Sequence, residues 1–176
     1  VGLALLLLLV VFRSILVPLT AAGGFLLSIA ASLGITVWIF QDGNLADLFG
    51  VSQAGPIVSF LPILLIGILF GLAMDYEVFL VSAIREDYVH HGDAKHAVTT
   101  GFISSARVVT AAALIMISVF VSFVPDGNAT IKPIALGLAV GVFVDAFLVR
   151  MTLVPAVLAL LGKRAWSLPK SWDAAL

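Results

Sequence analysis

Four apolar runs dominate this chain: Ile15–Phe40, Pro56–Ile84, Ala97–Val124 and Ile131–Leu161, each 26 to 31 residues long. A helix rises about 1.5 Å per residue, so about 20 residues cross the roughly 30 Å hydrocarbon core of a bilayer. Membrane β-strands need about ten residues of alternating polarity. No such alternation occurs here, and a barrel is excluded. Composition agrees. Hydrophobic residues make up 62% of the chain and charged residues 11%, with a mean hydropathy of +1.22, against about 25% charged in a soluble domain. The expected fold class is an all-α membrane protein, a polytopic helix bundle.

Val1–Phe12 is also apolar but too short to span, as expected for the truncated end of a helix. Five transmembrane segments are therefore expected, at about 1–12, 15–40, 56–84, 97–124 and 131–161, forming one bundle over 1–161. Residues 85–96 carry Arg85, Glu86, Asp87, Asp93 and Lys95, and read as a cytoplasmic interfacial helix and turn around Gly92. Residues 162–176 form a basic-headed cytoplasmic tail. Pro18 falls in the first turn of its segment, where a missing N–H is harmless, whereas Pro62 is expected to bend its helix. The chain opens in mid-run without Met or a basic leader, and is expected to be a piece of a longer protein.

Charge placement gives orientation. Arg13, Arg85, Lys95, Lys163, Arg164 and Lys170 fall on one side and only Lys132 near the other, so the first group is expected in the cytoplasm. With no cysteine, neither disulfides nor thiolate chemistry is available. The net charge of −1 offers no basic face for nucleic acid. His90, His91 and His96 sit in a charged loop and read as solvated, so no metal or cofactor is implied.

The most informative residues are acids inside apolar helices. Asp75 lies ten residues before Arg85, about 15 Å below the surface if helical. An unpaired carboxylate there costs several kcal/mol, which marks a functional site. The third segment reads Gly67-x-x-x-Gly71-x-x-x-Asp75 and the fifth Gly137-x-x-x-Gly141-x-x-x-Asp145. Spacing of four keeps each set on one ridge, and small residues there permit close helix approach in lipid. Both ridges are expected toward the bundle interior, with the two aspartates at similar depth. Arg150 is five residues past Asp145, about 140° around an α-helix; it is expected to pair with Asp75 or Glu77 on a neighbouring helix instead. Asp75, Glu77 and Asp145 against Arg107 and Arg150 leave one acid over, as a proton carrier requires. Tyr76 points about 100° from Asp75 and is available to a neighbouring helix.

The run Gly71-Leu-Ala-Met-Asp75-Tyr76-Glu77-Val78-Phe79-Leu80, with Ser82 and Arg85-Glu86, resembles the MMPL family (mycobacterial membrane protein large) of the RND superfamily. Phe12-Arg13-Ser14 with Val17-Pro18-Leu19, the run Ala106 to Ala113, and Val144-Asp145-Ala146 with Arg150 and Pro155 are similar to the same family. The resemblance implies twelve transmembrane helices in two similar halves, each with a large periplasmic domain. It implies export of lipids or other hydrophobic molecules across the bacterial plasma (inner) membrane, driven by protons. It assigns Asp75 and Tyr76 to a proton relay, matches Asp145 and Arg150 to the acid and arginine of the family's last helix, and makes this chain helices eight (in part) to twelve; with the charge count, Asp145 is expected in the relay and Glu77, Arg107 and Arg150 in supporting ion pairs. The expected partners are membrane lipids, protons, a hydrophobic substrate and the missing N-terminal half, whose own Asp-Tyr pair would complete the relay.

Two other classes fit parts of the pattern. A sterol-sensing regulatory domain is also a five-helix bundle. An intramembrane aspartyl protease would also place two aspartates on two helices, but Met74 and Val144, not glycine, precede them here. The expected activity is transport, not catalysis. The topology makes one prediction. Cysteines at Asn44 and Asn128 should react with an impermeant reagent from outside, and one near Lys95 should not; the opposite pattern would invert the map.

Overall fold

The computed structural model describes residues 2–12, 14–45, 48–50, 55–91, 94–126 and 128–161. Helix α1 is Gly2–Phe12, and α2 is Leu16–Thr36 with a π-helical continuation Val37–Gln41. Helices α3 (Leu61–His91) and α4 (Ala94–Asp126) follow. The last rod is α5 (Ile131–Phe143), a π segment Val144–Leu153 and α6 (Val154–Leu161). All regular structure among the described residues is helical.

Among the described residues, four helical stretches are long and apolar enough to cross a membrane: Leu16–Gln41, Leu61–His90, Thr99–Pro125 and Ile131–Leu161. This is a multi-pass membrane architecture. Helix α1, at 11 residues, is about 16 Å long and does not span by itself. Helix α3 starts at Leu61, so Pro62 lies in its first turn, where the missing N–H has no intrahelical partner to lose; the expected bend has no cause there. At the other end α3 runs on through Arg85 to His91 instead of stopping at Ile84. The turn at Gly92 and the tail 162–176 lie outside the described residues. At the outer end of α5 the Asn128 side chain accepts from the Thr130 and Ile131 backbone N–H groups at 3.0 and 2.9 Å and so caps the helix.

Close contacts order the bundle. Ile84 meets Gly101 and Tyr76 meets Met116, so α3 and α4 are antiparallel. Gly24 meets Val149 and Ser32 Oγ donates to the Gly137 carbonyl at 2.6 Å, so α2 and the last rod are antiparallel too. Leu65 packs on Gly137 and Leu69 on Gly141, which makes α3 and α5 parallel with an offset of 72 residues. That register sets Asp145 level with Ala73, about 3 Å along the axis from the level of Asp75.

The two glycine ridges are used differently. Gly137 and Gly141 are buried in the bundle. Gly67 and Gly71 are exposed, and a methyl group on either would meet nothing. The expectation that both ridges face inward is corrected here, and the reason is packing. The groove along α5 is filled by leucine side chains from α3, so the inward stripe of α3 is Leu61, Leu65, Leu69, Ala73 and Glu77, and the glycines turn outward. A second small-residue ridge, Gly24-Ser28-Ser32-Thr36, lies buried on α2, with Gly24, Ser32 and Thr36 against the last rod. Its spacing of four was available in the sequence.

A methyl group at Gly101 would lie 2.7 Å from the Ile84 Cα, backbone that cannot step aside. Gly101→Ala should therefore destabilise the chain by about 1–3 kcal/mol. Gly67→Ala should be neutral or stabilise by up to about 1 kcal/mol through helix propensity. Unfolding of both variants in mixed micelles checks the opposite signs.

Candidate functional site

The inward turn of α3 from Ala73 to Glu77 faces the π segment, and Arg150 joins the two. Its Nε donates to Asp145 Oδ2 at 2.6 Å. Its Nη2 donates to the Ala73 carbonyl oxygen. Its Nη1 stands 3.6 Å from Glu77 Oε2. The guanidinium carbon also lies 5.5 Å from the Tyr76 ring centroid, a cation–π distance. Glu77, Asp145 and Arg150 are 1%, 7% and 2% exposed. Arg150 Nη1 and Glu77 Oε1 make no hydrogen bond among the described residues, so this buried network holds spare donor and acceptor capacity.

The Asp145–Arg150 contact corrects the sequence expectation. Five residues are about 140° apart on an α-helix, but a π-helix bonds each N–H to the carbonyl five residues back and brings such residues over one another. Residues 144–153 are π-helical, and the Val154 N–H that ends the segment still bonds the Val149 carbonyl. The pairing of Arg150 with Glu77 was anticipated; the pairing inside its own helix was not.

The other candidate residues lie apart. Asp75 is exposed on the outer ridge of α3 with Gly67 and Gly71, outside the buried cluster. Arg107 is exposed on α4 and does not enter the charge balance, which corrects the count of three acids and two bases. Among the described residues the buried set is two acids and one base. Tyr76 is half-buried between the two groups, and its hydroxyl donates to Met116 Sδ at 3.6 Å, a weak acceptor. Neither the Ala73 carbonyl nor Met116 carries a sequence signal, since a backbone oxygen and a lone thioether look like ordinary helix. No group of three or more His, Asp or Glu residues placed to hold a metal occurs among the described residues.

The model of the MMPL family matches residues 1–174. The chain belongs to the MMPL family. Membrane protein YdfJ of Bacillus subtilis is 57% identical over 173 residues, covering 98% of this chain and 24% of that protein. The mycolic acid-containing lipids exporter MmpL11 of Mycolicibacterium smegmatis is 39% identical over 170 residues, 97% of this chain and 18% of that protein. The heme uptake protein MmpL11 of Mycobacterium tuberculosis is 41% identical over 167 residues, 95% of this chain and 17% of that protein. The chain thus spans about a quarter or less of the length of these relatives. The names of the two MmpL11 proteins describe transport, not catalysis.

A buried charge left unpaired is costly, typically about 3–5 kcal/mol when one partner of an ion pair is removed. Arg150→Met, which strands two buried acids, should destabilise this MMPL chain by that amount. Adding Asp145→Asn and Glu77→Gln should recover most of the loss. Unfolding midpoints of the single and triple variants test this.

Proposed function

We propose that this chain is the proton-coupling transmembrane half of a proton-driven exporter of lipids or other hydrophobic molecules in the bacterial plasma membrane. One observation carries the reading: inside the bundle, the acids Glu77 and Asp145 face the single guanidinium of Arg150. Charged, the three sum to −1; with one proton on either acid they sum to zero. In an apolar bundle such a cluster is a place for a proton to be taken up and released.

The exposed ridge of α3 extends the reading. Asp75 lies on a face of small residues, Gly67 and Gly71, that the described residues leave open. On this proposal that face meets the N-terminal half of the full transporter, and Asp75 with Tyr76 stands at the seam as part of the relay. Arg150 lies over the Tyr76 ring, so the buried cluster and the seam are one side chain apart. The α1 segment then counts as the incomplete first of the five segments that this chain contributes to that half. Lipid as cargo is supported by the exporter name of one relative.

The test uses the full-length transporter in liposomes loaded with a pH-sensitive dye. Asp145→Asn and Asp75→Asn keep shape and remove a titratable proton. Each should bring proton flux down to the level of protein-free vesicles while leaving membrane expression intact. Normal flux in Asp145→Asn would remove the buried cluster from the mechanism, and normal flux in Asp75→Asn would remove the seam.

A further inference from the structure

Two acids face one guanidinium in the buried cluster, and the geometry does not divide it evenly. Arg150 Nε donates to Asp145 Oδ2 at 2.6 Å, a charge-assisted hydrogen bond. Nη2 donates to the Ala73 carbonyl oxygen. Only Nη1 is left for Glu77, and it stands 3.6 Å from Oε2, too far for a hydrogen bond. Nη1 makes no hydrogen bond elsewhere, and Glu77 Oε1 has no partner among the described residues. Asp145 and Arg150 thus form a neutral pair, and the Glu77 carboxyl group is a bystander to it.

Burial is deepest where pairing is weakest: Glu77 is 1% exposed and Asp145 7%. Among the described residues no second cation faces Glu77. Arg150 and Asp145 face it from the last rod, and Tyr76 and Asp75 are its neighbours on α3, with Asp75 turned outward. Helices α1 and α2 carry no ionisable residue, and Arg107 of α4 is exposed. A buried carboxylate with a bare oxygen is far more costly than the same group made neutral. One proton can relieve that cost in two places. On Asp145 it would break the 2.6 Å ion pair and leave Glu77 to hold the charge from 3.6 Å. On Glu77 Oε1 it breaks nothing, and Oε2 still offers its lone pairs to Nη1.

We propose that Glu77 is the proton-holding acid of the cluster, neutral in this arrangement, and that Asp145 is the standing counterion of Arg150. The inference rests on the proton-coupling reading of the cluster and narrows it from two acids to one. When the proton leaves Oε1, the new carboxylate has one unpartnered donor beside it, Arg150 Nη1. The two close on each other, and Arg150 is then shared between Glu77 and Asp145.

The test uses the full-length transporter in membranes at neutral pH. Infrared spectra of the parent and of Glu77→Gln are compared, with a heavy carbon isotope in the side-chain carboxyl of either glutamate or aspartate. The difference should contain the C=O stretch of a neutral carboxylic acid, and that band should move with labelled glutamate and not with labelled aspartate. A band that moves with aspartate, or no such band, overturns the assignment. Stability gives a second measurement. Gln copies the neutral acid, so Glu77→Gln should keep the parent's unfolding midpoint, whereas Asp145→Asn takes the counterion from Arg150 and should lower it. The reverse order overturns the proposal. Proton flux in liposomes should fall in Glu77→Gln to the level of protein-free vesicles, and flux at the parent level overturns it too. If flux is lost in Asp145→Asn while the difference band belongs to an aspartate, the proton-coupling reading stands and the assignment to Glu77 alone fails.

Discussion

Everything in this bundle is arranged so that one guanidinium can sit inside it. Arg150 is 2% exposed inside a predominantly apolar bundle, and a buried charge persists only with partners on several sides. Those partners come from two rods: Asp145 along its own, and the Ala73 carbonyl, Glu77 and Tyr76 from α3. Such an arrangement demands that α3 and the last rod be parallel and held in register to within a turn. The leucine-on-glycine contacts at Leu65–Gly137 and Leu69–Gly141 supply that register. A side chain at either glycine of α5 would push α3 away and pull Glu77 out of reach of Arg150. Packing and electrostatics are the same constraint here.

The two glycine ridges show how one motif serves two ends. On α5 the missing side chains admit leucines and seat the ion cluster. On α3 they face outward and leave a smooth strip that ends in Asp75. Asp75 and Glu77 are two residues apart, about 200° around the helix, so a single turn presents one acid to the interior and one to the exterior. Tyr76 lies between them, its ring beside Arg150 and its hydroxyl on the weak acceptor Met116. A phenol held that loosely can leave its sulfur partner at little cost.

Four of the five expected spans, the all-helical class and the family were legible because they rest on run length, polarity and local motif. So was the place of Asp145 and Arg150 among the ionisable residues inside the bundle, since such residues in apolar helices stand out. Three features were not legible. Which face of α3 turns inward depends on what fills the α5 groove, and Gly-x-x-x-Gly reads alike whether the groove takes another backbone, a leucine or nothing. The burial of Arg107 was misjudged for the same reason: α4 has an outer face that its sequence does not distinguish from its inner one. The π segment left no local signature in Val144–Leu153. A wide turn is stabilised by what it brings together, and the ring of contacts around Arg150 includes the α3 backbone, which no pattern within the last rod encodes.

Exposure of Asp75 sets the final constraint. In hydrocarbon a carboxylate on an open helix face is unfavourable by several kcal/mol, and the glycines beside it offer no long side chain to shield it. The face is therefore unfavourable as a lipid boundary and favourable as a contact: small residues let a second helix come near enough to cover the acid, and covering it removes the cost. The chain spans about a quarter or less of its relatives, so on the proposed reading the covering surface lies elsewhere in the same transporter. The inner cluster needs no such help, because Arg150 already stands against Asp145 and Glu77. The two acids of α3 thus differ in kind. Glu77 is settled by this chain's own fold, whereas Asp75 is settled only by assembly, and a relay through both would make proton movement answer to the seam between halves.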